Sequence, residues 1–532
     1  MASNNDSYLW WKHGVVYHIY PRSFFDSNGD GIGDIAGITE KLDYIADCGF
    51  DAVWLSPVNT SPNIDFGYDV SDYYNISPDL GTFDDFTQLI VEAHRRGIRI
   101  IMDMVINHSS NQHSWFRESA SSMDNQKRDW YIWRRGKNGG PPNNWITNMM
   151  DSVWEFDPRT DEYYLHSFFR EQPDLNWQNR EVRNEIMEIL KFWMNTGVDG
   201  FRLDMVNWLM KDSEFRNNPG VPGIRFLQRQ IYNKNQKTIH RVLKKIRKTV
   251  DAFPQRMVVG EVFSLPPGDP ELAASYMGDG DELHLAFDFS LFYRTWSAGS
   301  FYQVIKKWMG LQTEQTWPCH VLSNHDQKRS YSRLCRGKYG NLKAKLLATM
   351  LLTLKGTPFV YYGEEIGMKS LSLKKHQTRD PLARRFWPLY KGRDSSRLPM
   401  QWNDKKNGGF SRGEPWLPVD PEYVHSNVHK QLKDPDSLLN HYRALIRLRK
   451  GSEVLLTGDW LPVINNSAIM SWQRVLNNES MLVILNFSGS RQKFVLEPGI
   501  WKVVLSGSGK NYHCCEKSVI LPPFESIVLE KK

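Results

Sequence analysis

The feature that most constrains this chain is a rhythm of short apolar, β-rich runs separated by longer segments with apolar residues at three- and four-residue spacing. Strand-like runs lie at 15–20, 52–55, 98–105, 200–203, 258–262, 284–287, 321–323 and 359–362, and helical patterns at 38–47, 83–96, 183–196 and 342–354. Alternation of this kind predicts βαβ units around a parallel sheet, because parallel neighbours need a long crossover connection. Eight such strands predict an α/β fold closed into a (β/α)8 TIM barrel. Two stretches break the rhythm. Residues 108–177 are rich in Trp, Asn, Gly and Pro (GKNGGPPNNW) and read as a subdomain inserted after the third strand. From 455 onward, short alternating segments separated by Gly, Asn and Ser predict a C-terminal antiparallel β-sandwich. The expected organisation is barrel 1–107, insertion 108–177, barrel resumed 178–454 and β domain 455–532.

Composition narrows the class. With 532 residues, 40 % hydrophobic and 24 % charged, the chain has ample apolar material for a core and reads as globular. Its 67 basic against 60 acidic residues leave +7, too diffuse to imply a nucleic-acid partner. The basic run 237–248 (KTIHRVLKKIRK) reads as one solvated helix face. The longest apolar run, 346–354, is about half the ~20 residues a membrane helix needs, and the N-terminus lacks the apolar stretch of a signal peptide. A cytoplasmic protein without a membrane partner is therefore expected. The five Cys match neither a disulfide framework nor a zinc pattern, and adjacent Cys514 and Cys515 read as incidental. Among the 20 Trp, residues 115, 130, 133, 145, 154 and 177 fall in the insertion or at its edge. Most read as its packing core, with one or two as candidates to face a ligand.

In a parallel barrel, side chains just past the strand ends converge on one mouth. Here those positions carry Asp103, Asn107 and His108 after strand three, Arg202 and Asp204 at strand four, Glu261 at strand five, and His325 and Asp326 at strand seven. Several acids around such a mouth, without metal-like His/Cys clustering, suit glycosidic cleavage. That reaction needs one protonated carboxyl and one ionised carboxylate. Arg202, two residues before Asp204 on an extended strand, projects to the same side and should keep Asp204 ionised as a nucleophile. Glu261 has no cation adjacent in sequence, which makes it the better proton donor.

These residues stand in motifs that resemble the α-amylase superfamily, glycoside hydrolase family thirteen, and within it the oligo-1,6-glucosidase and α-glucosidase group. The motifs are DMVINH (103–108), GFRLDMVN (200–207), GEVF (260–263) and SNHD (323–326), joined by QPDLNW (172–177), the opening segment YPRSFFDSNGDGIGD (20–34), NIDFGYD (63–69), YYGEEIG (361–367) and RLPMQW (397–402). The resemblance implies Asp204 as nucleophile, Glu261 as general acid/base and Asp326 as a transition-state stabiliser. It implies that Asp65, Tyr68, His108, Phe168, Arg202, His325 and Arg329 line the pocket for a non-reducing glucose. Oxygen donors at alternating positions, with Gly31 sixth, make the loop 26–34 similar to an EF-hand, although Gly37 at position twelve excludes a complete one. The resemblance implies a structural Ca²⁺ or Mg²⁺ held by Asp26, Asn28, Asp30, Asp34 and the Ile32 carbonyl.

The expected protein is thus a retaining, exo-acting α-glucosidase acting on short oligosaccharides, as a monomer or homodimer. Alternatives are a glucosyltransferase or a sucrose- or trehalose-type isomerase using the same intermediate. Non-catalytic amino-acid transporter heavy chains also resemble this family. They lack the catalytic acids and need a membrane anchor before the barrel, whereas here all three acids are present and no such segment precedes Trp10. Met205 after the nucleophile and Leu398, where the family commonly has Thr, depart from the usual pattern. GRDSSR (392–397) does not match the charged loop of sucrose isomerases.

Overall fold

The computed structural model describes residues 8–532 except 148–149, 223, 265–266, 511 and 513–514, and the side chains of all these except 224–227. Eight strands form one parallel sheet: β1 Val16–Ile19, β2 Ala52–Leu55, β3 Arg99–Met104, β4 Gly200–Leu203, β5 Met257–Gly260, β6 Leu285–Ala286, β7 Cys319–Val321 and β8 Thr357–Tyr361. Their order is β6-β5-β4-β3-β2-β1-β8-β7. The ends of this order meet through a single parallel bridge between Asp288 and His320, so the barrel is nearly closed. All four residues of β1, β2, β4 and β5 are buried, as expected of strands covered on both faces.

Alternation along these strands separates two cores. Val16, Ala52, Trp54, Ile101, Met257, Val259, Leu285, Phe287, Val321 and Phe359 fill the barrel interior. The intervening residues, among them Val53, Ile100, Phe201 and Val258, pack outward with the helices. The helix Phe83–Arg95 shows why these segments are helical. Thr82 and Asp85 form a reciprocal capping box at its start, and Phe86, Leu89, Ile90 and Ala93 form its buried stripe. The helix Arg180–Thr196 begins at the Asn179 cap and ends at Gly197, whose φ of +114° suits glycine. The pattern at 38–47 is divided: Lys41 leaves helical geometry (φ −101°, ψ 5°) between Ile35–Glu40 and Leu42–Cys48. The start moves upstream because the Asp34 carboxylate caps Gly37 N–H at 2.6 Å.

Between β3 and Arg180–Thr196 lies a three-stranded antiparallel sheet of Trp133–Arg134, Trp154–Asp157 and Glu162–Leu165, with the last strand central. The six Trp noted in sequence are all buried, from 1 % exposed at Trp145 and Trp177 to 9 % at Trp115. Trp145 and Trp154 pack in a small cluster within the segment, while Trp115, Trp130, Trp133 and Trp177 join the main core.

At the C-terminus, strands β9 Asp459–Asn465, β10 Ile469–Leu476, β11 Glu479–Asn486, β13 Trp501–Ser506 and β15 Ser526–Lys531 form an antiparallel sheet ordered β9-β10-β11-β15-β13. A second pair, β12 Gln492–Val495 and β14 Ser518–Leu521, packs Phe494, Val519 and Leu521 against Leu482, Ile484, Ile527 and Leu529. Cys48, Cys319 and Cys335 are buried, and Cys514 lies outside the described residues. No helix among the described residues is long and apolar enough to cross a membrane.

Candidate active site

Strand register assembles the site. Arg202 pairs with Asp103 across β3 and β4, and with Val259 across β4 and β5. Asp103, Arg202 and Val259 therefore form one inward layer, continuing the interior rows of Ile101 and Met257. Two residues further along their strands, Asp204 and Glu261 sit side by side in the next layer, at the C-terminal mouth. Their backbones are tied to neighbouring strands, with Asp204 N–H donating to Met104 O at 3.1 Å and Glu261 N–H to Leu203 O at 3.0 Å.

One guanidinium links the acids. Arg202, 1 % exposed, donates from Nη1 to Asp103 Oδ1 at 2.8 Å and Asp204 Oδ1 at 2.7 Å, and from Nη2 to Glu261 Oε2. Glu261, with no cation adjacent in sequence, thus gains one in space, because β4 and β5 are neighbours. The expected direction of its titration nevertheless holds. Burial pushes Glu261 up to about 8; Arg202 opposes the shift, while Asp204, Asp326 and Asp103 reinforce it. Burial likewise raises Asp103 to about 7, against Arg202.

Asp326 is the most open of these acids, its side chain 29 % exposed. Enclosure favours its neutral form, but His325, Arg393 and Arg397 outweigh this and hold the carboxyl well below the usual range. Burial pushes the His325 imidazole down to about 3, so at neutral pH the two arginines carry that stabilisation. Arg397 Nη2 donates to Asp326 Oδ1 at 3.0 Å, and Arg393 Nη1 lies 3.6 Å from the same oxygen. Arg393 also donates to Asp65 and to Asp380.

Most of the expected pocket residues gather around this network. Tyr68 OH lies 2.7 Å from His325 Nε2 and donates to Asp103 Oδ2 at 3.1 Å. His108 Nε2 meets the Tyr68 carbonyl at 2.8 Å, and its ring lies 5.0 Å from that of Phe168. Asp65 joins through Arg393. Arg329 is the exception. Its Nη1 donates to Tyr362 O at 2.6 Å, and its guanidinium lies 4.7 Å from the rings of both Tyr361 and Tyr362. That packs it into the wall at β8 and leaves Arg393 and Arg397 as the guanidiniums on Asp326. These two escaped the sequence prediction of the pocket, being legible only as parts of GRDSSR and RLPMQW, whereas Asp103 was placed at the mouth without a role of its own.

A cavity of about 440 Å³ opens at the acidic mouth, with Glu261, Asp326, Met205 and Arg393 in its lining and Asp204 outside it. Its aromatic surface comes from Phe263, Phe289, Phe292, Tyr293 and Tyr390, and no Trp contributes. Such side chains can cover the C–H faces of a sugar.

The loop 26–34 folds onto itself. Asp26 accepts from the N–H groups of Gly29 at 2.6 Å and Gly31 at 2.8 Å, Asp30 from Ile32 N–H at 2.8 Å, and Asp34 from Ser27 N–H at 2.9 Å. Gly31, at φ +92°, is required here, since a Cβ would stand 1.9 Å from Glu414 O. The five expected ligands are all oxygens, the donor kind that Ca²⁺ and Mg²⁺ take. Among the described residues, however, no three acidic, His or Cys side chains are gathered as a metal-binding group. The loop fits a cation in donor chemistry, and its carboxylates are at present taken up by backbone N–H groups.

Comparison with known proteins agrees with this geometry. Residues 18–458 match the alpha-amylase catalytic domain, and residues 469–528 match the alpha-amylase SusG C-terminal domain. The chain is 41 % identical to the oligo-1,6-glucosidase of Parageobacillus thermoglucosidasius, over 98 % of each chain. Among solved structures, the alpha-glucosyl transfer enzyme XgtA superposes with a TM-score of 0.93 at 34 % identity, covering 99 % of this chain and all of its own. Trehalulose synthase MutB from Pseudomonas mesoacidophila MX-45 gives 0.90 at 35 % identity, covering 98 % of this chain and 99 % of its own. An inactive MutB double mutant has been solved in complex with isomaltulose. A near-closed parallel barrel with acids at its mouth, matched over almost its whole length, makes this chain a glycoside hydrolase of the α-amylase family, glycoside hydrolase family thirteen, in its α-glucosidase group.

Proposed function

We propose that the protein is a retaining, exo-acting α-glucosidase that removes terminal non-reducing glucose from short α-linked oligosaccharides through a covalent glucosyl-enzyme intermediate. The observation that carries this reading is the shared guanidinium: Asp204 and Glu261 are bonded to adjacent nitrogens of Arg202. Carboxyls held that closely suit retention, for which a spacing of about 5–5.5 Å is needed, better than inversion at about 6.5–9.5 Å.

In the first step an Asp204 oxygen bonds to the anomeric carbon as the glycosidic C–O bond breaks, and the Glu261 proton passes to the leaving oxygen. In the second, Glu261 takes a proton from water, whose oxygen bonds to the anomeric carbon and releases Asp204. Burial of Glu261 keeps its proton available near neutral pH, so one group serves as acid and then as base. Asp326, held ionised by its arginines, can accept from sugar hydroxyls and favour positive charge at the ring. The buried Asp65–Arg393–Asp380 chain supports a closed end that accepts one terminal residue.

A glucosyltransferase or isomerase reading is favoured by the aromatic cover on the entrance side, which could hold a sugar acceptor in place of water. Product analysis on maltose, isomaltose, sucrose and trehalose, with the anomer released followed by NMR, distinguishes these readings. Free α-glucose as the first product supports the hydrolase. Initial β-glucose overturns retention, and products larger than the substrate, or isomeric with it, overturn hydrolysis as the main reaction.

A further inference from the structure

A second cavity, of about 530 Å³, lies where the first turns of Arg180–Thr196 and Ile239–Asp251 come together, and it shares no lining residue with the cavity at the acidic mouth. Its lining includes four cations, Arg183, Lys211, Arg241 and Lys245, and one carboxylate, Asp212. Two of these five charges are already neutralised. Lys211, 4 % exposed, pairs with Asp174 at 2.7 Å. Asp212 is bound by Arg216 through two contacts, of 2.7 and 3.0 Å.

The other three cations have no carboxylate among the described residues. Arg183 Nη1 donates to the carbonyls of Trp177 at 2.6 Å and Gln178 at 2.8 Å, and Lys245 Nζ donates to Asn184 Oδ1 at 2.8 Å. The Arg241 side chain makes no hydrogen bond or ion pair among the described residues. Burial lowers the Lys245 ammonium, and the like charges of Arg183, Arg180 and Lys191 lower it further. The helix Ile239–Asp251 adds its positive end, because its first turn carries no acid and no side-chain cap. Neutral donors complete the lining: the amides of Gln178 and Gln236 and the hydroxyls of Ser213 and Thr238.

The run 237–248 therefore does more than cover a helix with solvated charge. We propose that this cavity binds the phosphate group of a small phosphorylated ligand, at a site separate from the acidic cup. Two guanidinium forks and an ammonium match the oxygens of a phosphate dianion, and a neutral sugar would leave the same charges uncompensated. The shared chemistry is the phosphate; the ligand is either a sugar phosphate or free phosphate.

Isothermal titration of the full chain with glucose 6-phosphate, inorganic phosphate and glucose tests this. Glucose 6-phosphate or phosphate is expected to bind with a dissociation constant below the millimolar range. The double variant Arg241→Glu/Lys245→Glu should weaken that binding at least tenfold while leaving hydrolysis of an aryl α-glucoside unchanged. Both positions are exposed, and the neutral pair Arg241→Gln/Lys245→Gln provides the same test with less perturbation. Stronger binding of glucose 6-phosphate identifies a sugar phosphate, and equal binding identifies the phosphate alone; either supports the site. Absence of binding by both anions, or binding that survives in both double variants, overturns it.

Discussion

Arg202 stands opposite Asp103 in the β3–β4 ladder and donates to it at 2.8 Å, while the same nitrogen donates to Asp204 at 2.7 Å. A single buried cation thereby balances a cup of acids. Removing one partner of such an arrangement leaves uncompensated buried charge, a loss of about 3–5 kcal/mol. Arg202→Met should therefore lower stability to urea by roughly that amount and abolish turnover. Arg202→Lys keeps the charge without the fork and should fall between the two. A loss for Arg202→Met below about 1 kcal/mol would mean that the guanidinium does not balance buried charge in this cup.

Asp204→Asn preserves shape and removes the nucleophile. Hydrolysis of an aryl α-glucoside should fall by at least about a thousandfold, as expected when a covalent step is lost. Near-wild-type turnover would displace Asp204 from that role. A denaturation midpoint measured alongside separates lost chemistry from lost folding.

The pH profile should show the state of Glu261. Its raised pKa keeps it protonated, as a proton donor must be, below about 8. As pH rises through that value the donor form disappears, and kcat/KM should fall about tenfold per unit on the alkaline limb. Glu261→Gln, whose amide does not titrate, should remove this limb with an aryl α-glucoside, and α-glucosyl fluoride, whose leaving group needs no proton, should show none even with the unsubstituted enzyme. An alkaline limb that persists unchanged in the variant would assign it to another group.

How far the sequence reached follows from what kind of fact each feature is. Periodicity located all eight barrel strands, because a strand buried on both faces is a continuous apolar run. It did not show the barrel's weak seam, where β6 contributes only Leu285–Ala286 and closure rests on Asp288 and His320. The acids were legible because they follow strands directly. Their electrostatics were not, since the cation on Glu261 comes from the neighbouring strand and register is invisible in a linear reading. Arg393 and Arg397 come from a loop without period, and only folding brings them to Asp326. The Trp-rich insertion was legible as a break in the rhythm, but not its tie to the main core, where Trp115, Trp130, Trp133 and Trp177 meet residues distant in sequence; the aromatics over the cavity likewise came from separate segments, 263, 289–293 and 390.

The loop 26–34 gives a metal-dependent prediction. We propose that its oxygens hold a structural Ca²⁺ or Mg²⁺, which would draw the carboxylates away from their present N–H partners. Asp30→Ala should then lower the melting temperature by several degrees more in calcium or magnesium than in chelator, the difference measuring cation binding to the native state. Equal losses in both media would leave Asp30 only its bonds within the loop, accepted from Ile32 N–H at 2.8 Å and Asn28 Nδ2 at 3.3 Å.

Arg329, expected in the pocket, and Arg393, given no role by the sequence reading, should separate cleanly in kinetics and stability. Arg393 reaches Asp65, Asp326 and Asp380 at once, so its guanidinium fixes the relative positions of acids on three loops. Arg393→Lys retains a charge but cannot serve all three, and KM for maltose or isomaltose should rise about tenfold, the equivalent of ~1.4 kcal/mol of binding. Arg329 instead touches the Tyr362 carbonyl and two tyrosine rings, contacts that hold the wall at β8. Arg329→Lys should cost about 1–3 kcal/mol of stability, the penalty for disturbing buried polar contacts, while KM stays within about twofold, because less than ~0.5 kcal/mol of binding is then involved. The reverse pattern, with KM rising only in Arg329→Lys, would return Arg329 to the pocket and make Arg393 part of the frame.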